Sequence, residues 1–146
     1  MSTMFDFGSG PVPAHQHPNG GGWVADTAYV AETAFIGPNA RVFDNAQVFG
    51  NAQVFGNAQV FENTEVFGNT EVFGNAQVFG NAQVFEKAEV FEDAKVYGAA
   101  QVFGQAKVFG SAQVYENARV FEKGEVFGDA RVFGNVRVFG NARVTE

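Results

Sequence analysis

Residues 45–56 read NAQVFGNAQVFG, two identical copies of one six-residue unit. Working outward from them, an aliphatic residue recurs at every sixth position from Val24 to Val144, 21 positions without interruption. Val30, Ile36, Val42, Val48, Val84, Val102, Val120 and Val138 belong to this series. Two residues before each aliphatic sits a small residue, usually Ala; Gly22, Thr64, Thr70, Gly124 and Val136 are the departures. A fixed period of this kind outranks local propensity, because each unit buries its apolar face only by stacking on its neighbours.

Within one unit, Ala-Gln-Val-Phe alternates. Ala and Val therefore share one face, and Gln and Phe the other. Gly-Asn follows and supplies a corner, since both residues tolerate left-handed backbone angles. Glu stands in place of this Gly at Glu62, Glu86, Glu92, Glu116 and Glu122, so the corner cannot demand glycine everywhere. Strands of about four residues joined by two-residue corners fit a three-sided coil of about 18 residues, and about seven coils make a rod about 34 Å long. The chain contains no Leu. A column of Val over a column of Ala fills a narrow prism.

The unit Ile36-Gly37-Pro38-Asn39-Ala40-Arg41 closely resembles the hexapeptide of left-handed parallel β-helix proteins. The shared features are the aliphatic residue, the Gly after it, and the small residue two before the next aliphatic. The N-A-Q-V-x-G flavour is similar to hexapeptide-repeat proteins of bacteria and their phages. This resemblance covers residues 23–146. It implies an all-β, left-handed parallel β-helix, a triangular β-solenoid, and the hand comes from the resemblance alone. It does not imply one function, since the superfamily holds acyltransferases, carbonic anhydrase-like enzymes and non-enzymatic fibres.

Residues 1–22 stand outside the repeat and form a separate N-terminal segment. Pro11, Pro13, Pro18 and the run Gly20 to Gly22 predict irregular backbone without helix or strand. Phe5 and Phe7, with Trp23 just after the segment, point to a cap or connector on the first coil. After Val144 only Thr145 and Glu146 follow. Read as the end of the rod, this coil is expected to offer an open strand edge and to favour head-to-tail growth.

The outward columns carry the main functional signal. One residue after the aliphatic is aromatic in every unit from Phe43 to Phe139. Folded onto three sides, these residues form three ladders. The first is Phe43, Phe61, Phe79, Tyr97, Tyr115 and Phe133. The second is Phe49, Phe67, Phe85, Phe103, Phe121 and Phe139, and the third is Phe55, Phe73, Phe91, Phe109 and Phe127. An aromatic side chain buries about 150 Å² or more, so these rings predict a surface that associates with other subunits.

The formal net charge is −7, which argues against a nucleic-acid partner. Residues 1–94 hold 11 acids and 2 bases for a net −9; residues 95–146 hold 5 acids and 7 bases for a net +2. No apolar run reaches membrane-spanning length, and no signal peptide is evident. Extracellular and virion-associated positions both stay open. The chain has no Cys.

Catalytic features of the resembling enzymes are missing. The acyltransferases use a His base near a subunit interface, often with a loop extruded from a coil. Here no loop interrupts the repeat, and His15 and His17, the two histidines, precede it. That pair is a weak candidate for metal in an extended segment. No cofactor and no catalytic residue are expected. The sequence thus predicts a non-catalytic structural protein that self-assembles into a fibre or bundle. Attachment to a larger particle, such as a phage appendage or cell envelope, with the N-terminal segment as one docking element, is the alternative. An acyltransferase-like trimer is a distant third.

Overall fold

A computed structural model describes residues 3–146; the first two positions of the N-terminal segment lie outside the described residues. Strands β1 (Thr3–Asp6) and β2 (Pro11–Gln16) open the chain and β3 (Trp23–Ala25) follows. From there strands of two residues recur every six positions, from β4 (Tyr29–Val30), β5 (Phe35–Ile36) and β6 (Arg41–Val42) to β23 (Arg143–Val144). Up to the last coil, each pairs in parallel with the equivalent strand one coil ahead, as in Gln77 with Lys95 and Val78 with Val96. Three parallel sheets result. The first continues from β3 through β6 to Arg131–Val132, the second runs from β4 to Arg137–Val138, and the third from β5 to β23. The chain is a parallel β-solenoid of about seven coils, and no helix occurs among the described residues.

The strands are shorter than the four residues expected, but the inter-coil hydrogen bonding is not. Phe79 N–H donates to Val96 O at 3.0 Å, and at the corner Asn81 N–H donates to Gly98 O at 2.7 Å. The backbone thus stays paired around the bend, where a buried donor would otherwise be costly.

The alternation places Ala and Val inward as predicted. Val24, Ile36, Val42, Val48, Val84, Val102 and Val120 are fully buried, with Val138 nearly so. Val30 and Val144, in the first and last coils, are only partly buried. Thr64 and Thr70 replace Ala and are fully buried too. Thr64 Oγ1 donates to Phe61 O at 3.1 Å, whereas the Thr70 hydroxyl has no partner among the described residues.

Glycine and non-glycine corners share one left-handed geometry. Gly104 has φ 68°, while Glu62, Glu86, Glu92, Glu116 and Glu122 lie between 54° and 63°. A side chain in this region costs about 1–2 kcal/mol. Each of these glutamates recovers a hydrogen bond there. The N–H of the corner residue one coil ahead donates to its carboxylate: Gly80 to Glu62 at 2.8 Å, Gly104 to Glu86 at 3.0 Å, Gly140 to Glu122 at 2.9 Å. In all five cases that donor is a Gly, which keeps two carboxylates from stacking.

The N-terminal segment is more ordered than its sequence predicts. β1 and β2 form an antiparallel hairpin, and β2 pairs antiparallel with β3, extending the first sheet to nine strands. Asp6 Oδ1 closes the hairpin turn by accepting from the N–H groups of Gly8 (2.7 Å) and Gly10 (3.0 Å). Proline content hides β2 because a proline removes only its own donor. The Pro13 carbonyl still accepts from Asp26 N–H at 2.9 Å. Residues 17–22 then cross the edge of the third sheet. Ile36 N–H donates to Asn19 O and Gly22 N–H to Ile36 O, both at 3.0 Å. Two of the three sheets are thereby covered at this end, and the β4 edge of the second is not.

Candidate assembly surface

The corners turn the column after each Val outward, and successive coils place equivalent rings one above another. Centroid separations along the ladders run from 4.7 Å for Phe85 and Phe103 to 5.3 Å for Phe121 and Phe139. Most pairs lie within a few degrees of parallel, such as 2° for Phe55 and Phe73. The three predicted ladders are therefore continuous stacks.

Stacking also corrects the surface estimate made from the sequence. Each ring covers the faces of its neighbours, so ladder rings from Phe43 to Phe127 are only partly exposed. Phe133 and Phe139, in the last coil, are exposed to 49% and 52%. The apolar surface on each side is a strip of ring edges, less than full rings would give. Burial in the first stack lifts the Tyr97 phenol above its ordinary pKa of 10.0, and the Tyr115 phenol beside it adds to the effect. The Tyr97 hydroxyl donates to Gln113 Oε1 at 3.1 Å.

Beside each ladder runs a polar column from the residue preceding each Val. On the second sheet, Gln83 Nε2 donates to Glu65 Oε1 at 3.2 Å and Gln101 Nε2 to Gln83 Oε1 at 3.3 Å. On the third, Arg143 pairs with Glu125 at 3.3 Å and lies over the Phe127 ring. A further amide column links Asn57, Asn75 and Asp93.

Phe5, Phe7 and Trp23, expected to form a cap or connector, join the same system. Phe7 stacks on Phe43 at 4.8 Å and so extends the first ladder, Phe5 stacks on Trp23 at 4.6 Å, and Phe5 meets Phe7 edge-on. Arg41 lies over Phe5. The two histidines part company. His17 is buried, and its Nε2–H donates to Ala34 O at 2.8 Å. His15 is exposed and pairs through Nδ1 with Asp26 at 2.7 Å. Among the described residues no group of three or more His, Cys, Asp or Glu could hold a metal ion. Nor is any helix among the described residues long and apolar enough to cross a membrane.

Beneath the hairpin turn a groove exposes the corner carboxylates Asp26, Asp44 and Glu62. Each is already used within the chain: Asp26 by His15, Asp44 by Glu62 N–H at 3.2 Å, Glu62 by Gly80 N–H. The sequence reading missed these corner contacts. Their signal was present in the spacing, since Glu62, Glu86, Glu92, Glu116 and Glu122 each precede a Gly by one full coil. In comparisons with known proteins, the chain matches no family model, no curated protein and no solved structure.

Proposed function

We propose that this protein is a non-catalytic structural solenoid that self-associates side by side through its outward aromatic ladders, building a bundle or fibre. The observation that carries this reading is the continuity of the three stacks, which gives each side an unbroken strip of ring edges beside a polar column. A rigid coil with pre-ordered side chains loses little conformational entropy on docking. The coils carry no extruded loop, and both histidines are tied to the N-terminal cap. Neither feature suits a catalytic cleft.

Replacing Phe49, Phe67, Phe85, Phe103 and Phe121 with Thr tests the reading. Association measured by sedimentation should fall while the β circular dichroism persists. A wild-type chain that stays monomeric at high concentration would overturn it and leave attachment to a different particle as the better account.

A further inference from the structure

The three sides of the rod differ in charge. The polar column of the first sheet holds Arg41, Lys95 and Arg131 with no carboxylate. That of the third holds Glu71, Glu89, Lys107, Glu125 and Arg143. That of the second runs Gln47, Glu65, Gln83, Gln101, Arg119, Arg137. Among the described residues, Glu65, Arg119 and Arg137 make no ion pair within the chain.

Two symmetric ways exist to lay such a side on its own copy. A two-fold axis along the rod keeps the rods parallel, sets each coil against its own copy, and lays the polar column on the aromatic one, so that no carboxylate meets a cation of another coil. A two-fold axis along the strands reverses the rods. It lays polar on polar and ring on ring, and pairs coils in opposite order. On the second side, the antiparallel register that overlaps the six coils from Gln47 to Arg137 sets Glu65 against Arg119 twice. It also sets Gln83 against Gln101, Gln47 against Arg137, and Phe85 against Phe103.

Neither other side matches this. The first has no carboxylate to offer. On the third, the six-coil register sets Glu89 against Lys107 but also Glu71 against Glu125, so attraction and repulsion offset each other within the polar column. A four-coil register there sets Glu89 against Arg143 and Lys107 against Glu125, but it overlaps two coils fewer, and Arg143 and Glu125 already pair with each other within the chain. The second side is also the one whose β4 edge the N-terminal segment leaves free. Its register also brings like charges together twice, Glu62 of each copy against Glu116 of the other at the rim. Both are exposed and already accept a backbone N–H.

We infer that the second side is the surface on which two copies of this chain meet, antiparallel, with Glu65 of each facing Arg119 of the other. This rests on the assembly reading above and names its partner and geometry. Six coils at about 4.8 Å each and about 15 Å across give on the order of 400 Å² per copy. That is about half the usual 800 Å² per partner, so the dimer is reversible and weakens with salt.

Sedimentation equilibrium on the full chain tests this with variants at two outward positions. Glu65→Arg alone and Arg119→Glu alone should each weaken association at least tenfold, because each sets like charges against each other. An equimolar mixture of the two single variants should associate as wild type does, since each supplies what the other lacks. Glu71→Arg on the third side should change little. Single variants that associate as wild type does, or a mixture no stronger than either alone, would overturn the antiparallel dimer while leaving the assembly reading in place. A wild-type chain that does not associate would overturn both.

Discussion

The N-terminal segment and the coils face one problem, where to send the hydrogen bonds of a sheet, and answer it differently. In the coils every answer is periodic. Phe61 N–H goes to Val78 O, Phe79 N–H to Val96 O, and so on up the rod. In the segment every answer is singular. The hairpin closes one sheet through antiparallel pairing, and a single crossing at Ile36 closes another. Stability is therefore distributed in the coils, where one contact is repeated many times, and concentrated in the segment, where one contact has no substitute. Substitutions can break this contrast or sharpen it.

The largest effect belongs to the periodic core. Val84 is fully buried, and Gln83 beside it points outward on the same strand. Val84→Asp places a charge in a column of Val and Ala with no counter-ion, at a cost on the order of 4 kcal/mol or more, and should unfold or severely destabilise the rod. Gln83→Lys should stay within about 0.5 kcal/mol of wild type. Thermal melts that shift equally for both variants would mean that the assignment of inward and outward positions is wrong.

A smaller, local effect is expected at the singular contact. Gly20 has φ +115°, and a Cβ there would lie 2.1 Å from Ile36 O. Gly20→Val cannot keep the crossing in place. Because the coils hold themselves together, the loss is bounded by the docking free energy of the segment. Hydrogen exchange at the Ile36 amide, which donates to Asn19 O, should accelerate roughly 30-fold, about 2 kcal/mol, while amides near Val84 stay protected. Unchanged Ile36 protection would show that the crossing is not what closes the third sheet.

The same contrast explains what was legible in the sequence. The inward series from Val24 to Val144 and the three aromatic ladders follow from alternation and a six-residue period, and both are found in place. A period reports what is repeated. It cannot report that Asp6 closes a hairpin, that His17 binds Ala34 O, or that Gly20 lets the chain pass over Ile36. Composition misled as well, since Pro11 and Pro13 signal loop yet lie within a strand. The degree of ring exposure was also out of reach, because it depends on coil spacing and the flatness of the stack.

The finest test lies inside the coils, where two residues of one type break the repeat. Thr64 and Thr70 occupy equivalent inward positions one unit apart, and both are fully buried. Thr64 donates its hydroxyl hydrogen to Phe61 O; Thr70 has no such partner among the described residues. A buried polar group without a hydrogen bond costs about 1–3 kcal/mol, whereas a satisfied one contributes about 1 kcal/mol. Valine matches threonine in shape and carries no polar atom. Thr70→Val should therefore raise stability by about 1 kcal/mol, and Thr64→Val should lower it by a similar amount. Denaturant midpoints at unchanged slope would show the opposite signs directly. If both substitutions stabilise the rod, the Thr64 bond is too weak to offset burial of its hydroxyl. If both destabilise it, Thr70 also finds a partner in solution and the two positions are periodic after all.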